Sequence, residues 1–149
     1  LPRLGLRPYE ISNYAVPGEE SRHNTRYWLR RPYLGLGPSA ASHLGRLRWT
    51  ASSILPAWID GRGETEVQEL DDLEELAEVP LLGLRRHDGL DWSDLRREAA
   101  RRGLEAPVDA WEAALSPLEA AGLLVTEGTR KRLTPKGMLL SNAVFRIFV

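Results

Sequence analysis

The segment His23-Asn24-Thr25-Arg26-Tyr27-Trp28 combines residue types that could hold a metal bound in a porphyrin. A neutral imidazole is the usual protein ligand of haem iron, so His23 is the candidate ligand. Tyr27 and Trp28 add flat aromatic faces that can pack against the macrocycle. Four arginines lie nearby and could pair with propionate carboxylates: Arg22, Arg26, Arg30 and Arg31. The spacing alone leaves open the commoner alternative, a half-buried His beside a core Trp.

Other chemistry-bearing residues form weaker patterns. His43 and His87 are isolated from each other and from carboxylates at metal-ligand spacing. Residues 64–79 hold eight acidic residues and no basic one, which indicates a solvated helix face. No glycine loop of the phosphate-binding type and no favourably spaced Ser, His and Asp set is present. The chain has no Cys, which excludes disulfides, Cys-ligated zinc and a Cys-held iron–sulfur cluster within it.

The elements around the His23 segment are expected to be short strands and loops. Residues 1–49 are rich in Gly, Pro, Tyr and Trp without a helical period, and residues 9–14 and 33–37 are predicted as strands. Two lone strands need partners to form a stable sheet. Because the chain also starts with Leu1 and not Met, we expect residues 1–49 to be the closing edge of a domain in a longer protein.

The rest of the chain is predicted to be mainly helical. Residues 50–63 are interpreted as a connector, and helical spacing of apolar residues starts near residue 64, with an interruption at Pro80. Asp91 and Gly103 are predicted to begin and end the next helix. Further helix starts are expected near Asp109 and at Ser116-Pro117.

A two-stranded hairpin and a closing helix are expected at the end of this region. Residues 123–126 and 131–133 are predicted as the strands, and Thr134-Pro135 opens the last helix. Helices followed by a two-stranded wing are typical of a winged-helix-like domain. The sequence therefore predicts an α+β chain: residues 1–49, a connector over 50–63, and a winged-helix-like domain over 64–149.

Several segments resemble, in order, the signatures of one family. These are residues 9–18, Ser21-Arg22-His23-Asn24 with Tyr27-Trp28, residues 33–38, Leu82-Gly83-Leu84-Arg85, Leu133-Thr134-Pro135-Lys136-Gly137 and residues 140–145. Together they resemble the radical S-adenosylmethionine coproporphyrinogen-dehydrogenase family over essentially the whole chain. The resemblance implies that residues 1–49 are the last strands of a radical-SAM α/β barrel.

The His-Asn-x-x-Tyr-Trp pattern resembles one branch of this family, the HemW-type haem chaperones. That resemblance implies that His23 ligates haem iron, with Asn24, Tyr27 and Trp28 around it. The intact protein would then bind haem and pass it to an unknown acceptor protein, which could be membrane-associated. The sister branch, the oxygen-independent coproporphyrinogen III dehydrogenases of porphyrin biosynthesis, lacks this pattern and is the alternative.

Family members hold a [4Fe–4S] cluster and S-adenosylmethionine through a Cys-x-x-x-Cys-x-x-Cys motif, from which this chain departs. By the same resemblance, Ala15 and Ala41 would lie beside that cofactor in the full-length protein. The chain alone is not expected to be an enzyme. Pro80, in a helix usually read as continuous, and Ser39, where Gly is common, are two smaller departures from the family pattern.

Composition and charge bear on the remaining classes. The chain has 149 residues, of which 42% are hydrophobic and 28% charged, as in a globular domain without a membrane span, and a cytoplasmic location is expected. A winged-helix module binding nucleic acid is a competing interpretation, supported by Arg96, Arg97, Arg101 and Arg102 and by residues 130–132. A net charge of −1 and interspersed Glu residues disfavour it, so no nucleic-acid partner is expected. A protein-docking role for the helical domain is the third interpretation.

Overall fold

The fold was analysed in a computed structural model that describes residues 4–61 and 66–149. The helices found there are α1 Arg22–Trp28, α2 Leu55–Ile59, α3 Asp72–Gly83, α4 Trp92–Arg102, α5 Glu105–Ala120, α6 Pro135–Leu139 and α7 Ser141–Phe145. The strands are β1 Arg7–Pro8, β2 Tyr14–Ala15, β3 Ala41–Leu44, β4 Leu47–Thr50, β5 Glu66–Glu69, β6 Leu90–Asp91, β7 Leu124–Glu127 and β8 Arg130–Leu133.

These elements fall into two compact units. The first contains residues 4–30 and 76–149, and the second contains the described residues of 31–75. The first unit has a β1-β2 pair and an antiparallel β6-β8-β7 sheet, whereas the second has an antiparallel β3-β4-β5 sheet. The predicted mixture of helices and sheets is confirmed. Within the described ranges, no helix is both long and apolar enough to cross a membrane.

The hydrophobic core belongs to the first unit. Its buried side chains come from α3, α4, α5 and α7, from β7 and β8, and from positions next to these elements: Leu76, Leu84, Trp92, Leu95, Ala99, Val108, Leu115, Leu123, Leu124, Leu133, Val144, Phe145 and Phe148. Ile11 packs against this cluster from the first part of the chain. The segment before α1 is therefore attached to the helical region through apolar contact.

The predicted ends of α4 and the predicted hairpin are confirmed. The carboxylate of Asp91 accepts a hydrogen bond from the Ser93 amide at 3.0 Å, and Gly103 ends the helix in the left-handed conformation, with φ of 68°. β7 and β8 pair through the turn at Gly128, whose φ is 62°. These signals act over a few residues, which is why the sequence reveals them directly.

The strands predicted at residues 9–14 and 33–37 are wrong in extent. The Glu10 carboxylate accepts hydrogen bonds from the Ser12 amide (2.9 Å) and the Asn13 side chain (2.6 Å), which folds residues 9–13 into a loop before β2. Such local side-chain bonds compete with strand pairing. In the second segment only Tyr33 forms a bridge, to His43.

The helix predicted to start near residue 64 starts later. β5 occupies Glu66–Glu69, and α3 begins at Asp72 after a reciprocal cap between Asp71 and Glu74. Each carboxylate of that cap accepts the other residue's amide at 2.8 Å. Residues 62–65, which include the end of the predicted connector and the start of the acidic run, lie outside the described residues.

The helix interruptions expected at Pro80 and Pro117 are wrong. α3 continues through Pro80 to Gly83, and α5 is one helix with Pro117 inside it, although two helix starts were expected there. The expected single closing helix is divided into α6 and α7 at Leu140. Packing of the apolar faces against the core outweighs the missing proline donors, since both helices place apolar residues against the core before and after the proline.

The compact units do not coincide with the predicted segments 1–49, 50–63 and 64–149, because residues 4–30 belong with residues 76–149. Those boundaries concern the intact protein and stay a prediction.

A close backbone contact explains why the segment Leu133-Thr134-Pro135-Lys136-Gly137 ends in glycine. Its amide donates to the Thr134 hydroxyl at 3.0 Å, and a Cβ at this position would overlap the carbonyl group of Leu123. We expect Gly137→Ala to lower the free energy of unfolding by at least about 2 kcal/mol, because backbone atoms would have to move. Urea denaturation measures the change. Gly103→Ala is the matched control, since a Cβ at that position would meet open space. Its left-handed backbone alone is expected to cost the variant about 1 kcal/mol of stability. Equal losses in the two variants would contradict the close approach.

Candidate functional site

Helix α1 carries all four predicted haem-binding residues. No helix was expected here, although Ser21 is a good capping residue and its hydroxyl accepts a hydrogen bond from the Asn24 backbone amide at 3.2 Å. The Thr25 hydroxyl closes the first turn by donating to the Ser21 carbonyl at 2.9 Å. The motif spacing therefore places His23 one turn before Tyr27, and Asn24 one turn before Trp28.

His23 and Tyr27 form a polar pair on the exposed side of α1. The His23 Nε2 atom lies 3.0 Å from the Tyr27 hydroxyl, and the two rings meet edge to face with centroids 4.9 Å apart. His23 is exposed to solvent, whereas Tyr27 is half-buried. The imidazole is thus presented at the surface with an aromatic hydroxyl beside it.

Asn24 and Trp28 attach α1 to the rest of its unit. The side-chain amide of Asn24 donates a hydrogen bond to the Tyr9 hydroxyl at 3.4 Å. The guanidinium of Arg85 lies 4.6 Å from the centre of the Trp28 ring. The Trp28 indole nitrogen is buried without a hydrogen-bond partner in the described residues. One face of Trp28 is therefore covered by Arg85, which leaves fewer aromatic faces for a macrocycle than the sequence suggested.

Arg85 lies between two aromatic rings. Besides Trp28, its guanidinium lies 5.6 Å from the ring of Phe145, a core residue of α7 that is 8% exposed. Cations over ring faces within about 6 Å are attracted by the ring quadrupole. Arg85 belongs to the segment Leu82-Gly83-Leu84-Arg85, and its position after the apolar residues of α3 was the one sequence signal that could have suggested its packing.

Two backbone contacts and one ion pair add to this attachment. The amide of Ile11 donates to the Arg85 carbonyl, and the amide of His87 donates to the Tyr9 carbonyl, both at 3.0 Å. After α1, Arg30 pairs with Glu78 of α3 at 3.1 Å, with both side chains mostly buried. Sequence signatures that lie far apart in the chain are thus neighbours in the fold.

His23 does not line the cavity that lies beside α1. A cavity of about 510 Å³ lies beside Thr25, with Tyr9, Arg86 and His87 among its lining residues. At about 100° per residue, Thr25 lies roughly 200° around the helix from His23.

The remaining predicted residues lie elsewhere. Ala15 in β2 pairs with Arg7 and is half-buried, and Ala41 in β3 is exposed and pairs with Thr50. Their role beside a cofactor stays a prediction. Across residues 4–61 and 66–149, no group of three or more His, Cys, Asp or Glu residues is arranged to hold a metal ion.

His43 is buried in the second unit. Its Nε2 atom has no hydrogen-bond partner in the described ranges, and its ring meets Tyr33 edge to face with centroids 5.9 Å apart. Mutual backbone hydrogen bonds of 2.9 Å join the same two residues. His43 is therefore packed as a structural residue of β3, in contrast to the exposed His23.

Comparison with known proteins identifies a domain family within the chain. Residues 70–140 match the HemN C-terminal domain. Among solved structures, coproporphyrinogen III oxidase (HemN) from Escherichia coli, a radical SAM enzyme, has a TM-score of 0.76 at 18% identity, with 99% of this chain and 38% of that chain covered. That likeness shows the fold. Residues 70–140 therefore carry a HemN C-terminal domain, in a chain that has the fold of part of the solved HemN structure.

The relatives found by sequence include proteins named heme chaperone HemW. The chain is 31% identical over 150 residues to the protein named heme chaperone HemW from Bacillus subtilis, with 97% of this chain and 38% of that protein covered. It is 34% identical over 153 residues to heme chaperone HemW from Mycobacterium tuberculosis H37Rv, with 98% of this chain and 36% of that protein covered. A zebrafish relative, radical S-adenosyl methionine domain-containing protein 1, is 27% identical over 157 residues, with 97% and 35% covered. The chain thus spans somewhat more than a third of the length of these relatives.

The position of Arg85 leads to a stability prediction. We expect Arg85→Ala to lower the free energy of unfolding by about 1–3 kcal/mol, because two ring contacts and the packing of the arginine stem are lost. Urea denaturation measures the loss. Arg146→Ala is the control, since Arg146 is exposed just after α7 and its removal is expected to change stability by less than about 0.5 kcal/mol. A loss in Arg85→Ala no larger than in the control would refute the anchoring role.

Proposed function

We propose that this chain supplies the haem-binding helix of a haem chaperone, which binds haem as its cargo and passes it to an acceptor protein. The observation that carries the proposal is the exposed His23 imidazole on α1, inside the His-Asn-x-x-Tyr-Trp pattern. Relatives that match over nearly the whole chain and are named heme chaperone HemW support it.

The surroundings of His23 suit an anionic macrocycle. A neutral imidazole at the surface can reach iron without removal of a covering side chain from the core. Arg22 and Arg26 lie one turn apart on the same helix and are exposed, and they are the proposed partners of the propionate carboxylates. The proposed contacts are therefore one axial ligand, one aromatic neighbour and a cationic edge.

The iron–sulfur cluster does not fit the residues of this chain. A cluster of this kind is held by Cys thiolates, and the chain has none. We infer that, in the intact protein, the [4Fe–4S] cluster and S-adenosylmethionine are bound by a part outside these 149 residues. Ala15 and Ala41 are the proposed neighbours of that cofactor.

The second unit is proposed to join a radical-SAM barrel in the intact protein. Its support is a set of apolar side chains left exposed in the described residues: Leu34, Leu36, Leu44, Ile54, Leu55, Ile59 and Val67. Apolar groups at this density are covered by another surface in most folded proteins. The segment 1–49 is the proposed closing edge, and 50–63 the proposed connector.

The region 64–149 is proposed to be a winged-helix-like domain with a docking role. The order α4, α5 and the β7-β8 hairpin, with β6 at the edge of the same sheet, supports this architecture. The acceptor of haem is proposed to be a protein, and a cytoplasmic location and a membrane-associated acceptor are parts of the same proposal.

A nucleic-acid function for this domain has little support, because most of the arginines that would bind phosphate are paired within the chain. The ion pairs join Arg96 to Asp109 and Glu112, Arg97 to Asp94, Arg101 and Arg102 to Glu98, and Arg132 to Glu127. Hydrogen bonds to Glu112 and Asp109 raise the pKa of Arg96. Burial acts to raise the pKa of the Glu112 carboxyl, but its hydrogen bond to Arg96 acts in the opposite direction. The pKa of Glu112 is lowered as a result. Phosphates would have to displace these carboxylates.

A coproporphyrinogen dehydrogenase is the alternative within the family. The solved HemN structure supports the shared fold, but at 18% identity it carries no argument about activity. The His-Asn-x-x-Tyr-Trp pattern favours the chaperone branch.

A haemin titration tests the proposed function. The chain is expected to bind haemin saturably with a shift of the Soret band, and His23→Ala is expected to lose that shift because the axial ligand is removed. Absorbance spectroscopy measures both. His87→Ala is the matched control, since His87 is also exposed and lies outside α1. An unchanged spectrum in His23→Ala, or loss of the shift in His87→Ala, would count against His23 as the ligand.

A further inference from the structure

We propose that Tyr27 competes with haem iron for the His23 imidazole and thereby keeps haem binding reversible. This inference rests on the proposed function, in which His23 is the ligand. The observation behind it is the 3.0 Å contact between the Tyr27 hydroxyl and the His23 Nε2 atom. A hydroxyl at that distance occupies the lone pair, or the proton position, that a metal would need.

The iron has to use Nε2 because of the shape of the two partners. The Nδ1 atom is next to the ring carbon that carries the side chain, so it lies close to the backbone of α1. A broad, flat macrocycle centred on Nδ1 would meet the helix, whereas Nε2 points away from it. The nitrogen that suits haem is therefore the one that Tyr27 holds.

The contact can open and close without a change of fold. Both side chains belong to one helix and are four residues apart, so rotation about side-chain bonds is enough to separate them. His23 is exposed, which leaves room for that rotation. Tyr27 is half-buried and stays near the ring, so it can take Nε2 back when the iron leaves.

The size of the effect follows from ordinary hydrogen-bond energetics. A hydrogen bond that is exchanged with water contributes modestly, and its loss in the haem-free chain should tighten haem binding by about two- to tenfold. The same pair should shorten the lifetime of the complex, because the hydroxyl stabilises the freed imidazole. Both effects suit a protein that hands its cargo on and does not store it.

The first test compares haemin binding by the whole 149-residue chain and by Tyr27→Phe. The variant is expected to bind haemin about two- to tenfold more tightly and to transfer it more slowly to an excess of apomyoglobin. Tyr14→Phe is the matched control, because Tyr14 is an exposed tyrosine in β2, and its binding should equal that of the unchanged chain. Weaker or unchanged binding by Tyr27→Phe overturns the inference. If His23→Ala retains the haem signal, the proposed function itself fails.

The second test needs no haem. Diethyl pyrocarbonate acylates the free nitrogen of neutral imidazoles, and peptide mass spectrometry reports its rate at each His. The rate at His23 is expected to rise at least about twofold in Tyr27→Phe, as loss of a modest hydrogen bond predicts. The rate at His87, which is exposed in the same chain, should stay constant. An equal rate at His23 in both proteins means that Tyr27 does not hold Nε2, and it overturns the inference.

Discussion

The position of Arg85 between Trp28 and Phe145 is the interaction on which the candidate site depends. α1 has only seven residues, and a helix of that length is not stable alone in water. Its order has to come from packing against a larger core. Arg85 provides this link because its guanidinium contacts the last residue of α1 on one side and a core ring of α7 on the other.

The other attachments of α1 surround this contact. The loop at residues 9–13 is closed by Glu10, which is 1% exposed, and two backbone hydrogen bonds connect that loop to residues 85–87. A carboxylate buried this deeply is tolerated because amide donors satisfy it. Arg30 and Glu78 act beyond the other end of the helix. The pair of exposed His23 and half-buried Tyr27 thus lies on a helix whose other side is buried and hydrogen-bonded.

Structural features that depend on adjacent residues were predictable from the sequence, and features that depend on residues far apart in the chain were not. The cap at Asp91, the end of α4 at Gly103 and the β7-β8 hairpin each depend on a few adjacent residues, and the sequence predicts them correctly. The haem-binding role of the motif around His23 stays a prediction. The contact of Trp28 with Arg85 depends on positions far apart in the chain, and α1 was missed because its support is tertiary. β5 was missed because strand pairing with β4 overrides an apolar spacing that also fits a helix.

The separation of Trp28 and Phe145 along the chain has a consequence for the order of events during synthesis. A ribosome makes α1 long before α7, so the nascent chain contains the His23 motif without the ring that completes its anchor. Until the late helices have folded, the motif is a short unsupported segment. On the proposed function, haem uptake therefore becomes possible only after the chain is made and folded through α7, and a product truncated before α7 is expected not to bind free haem.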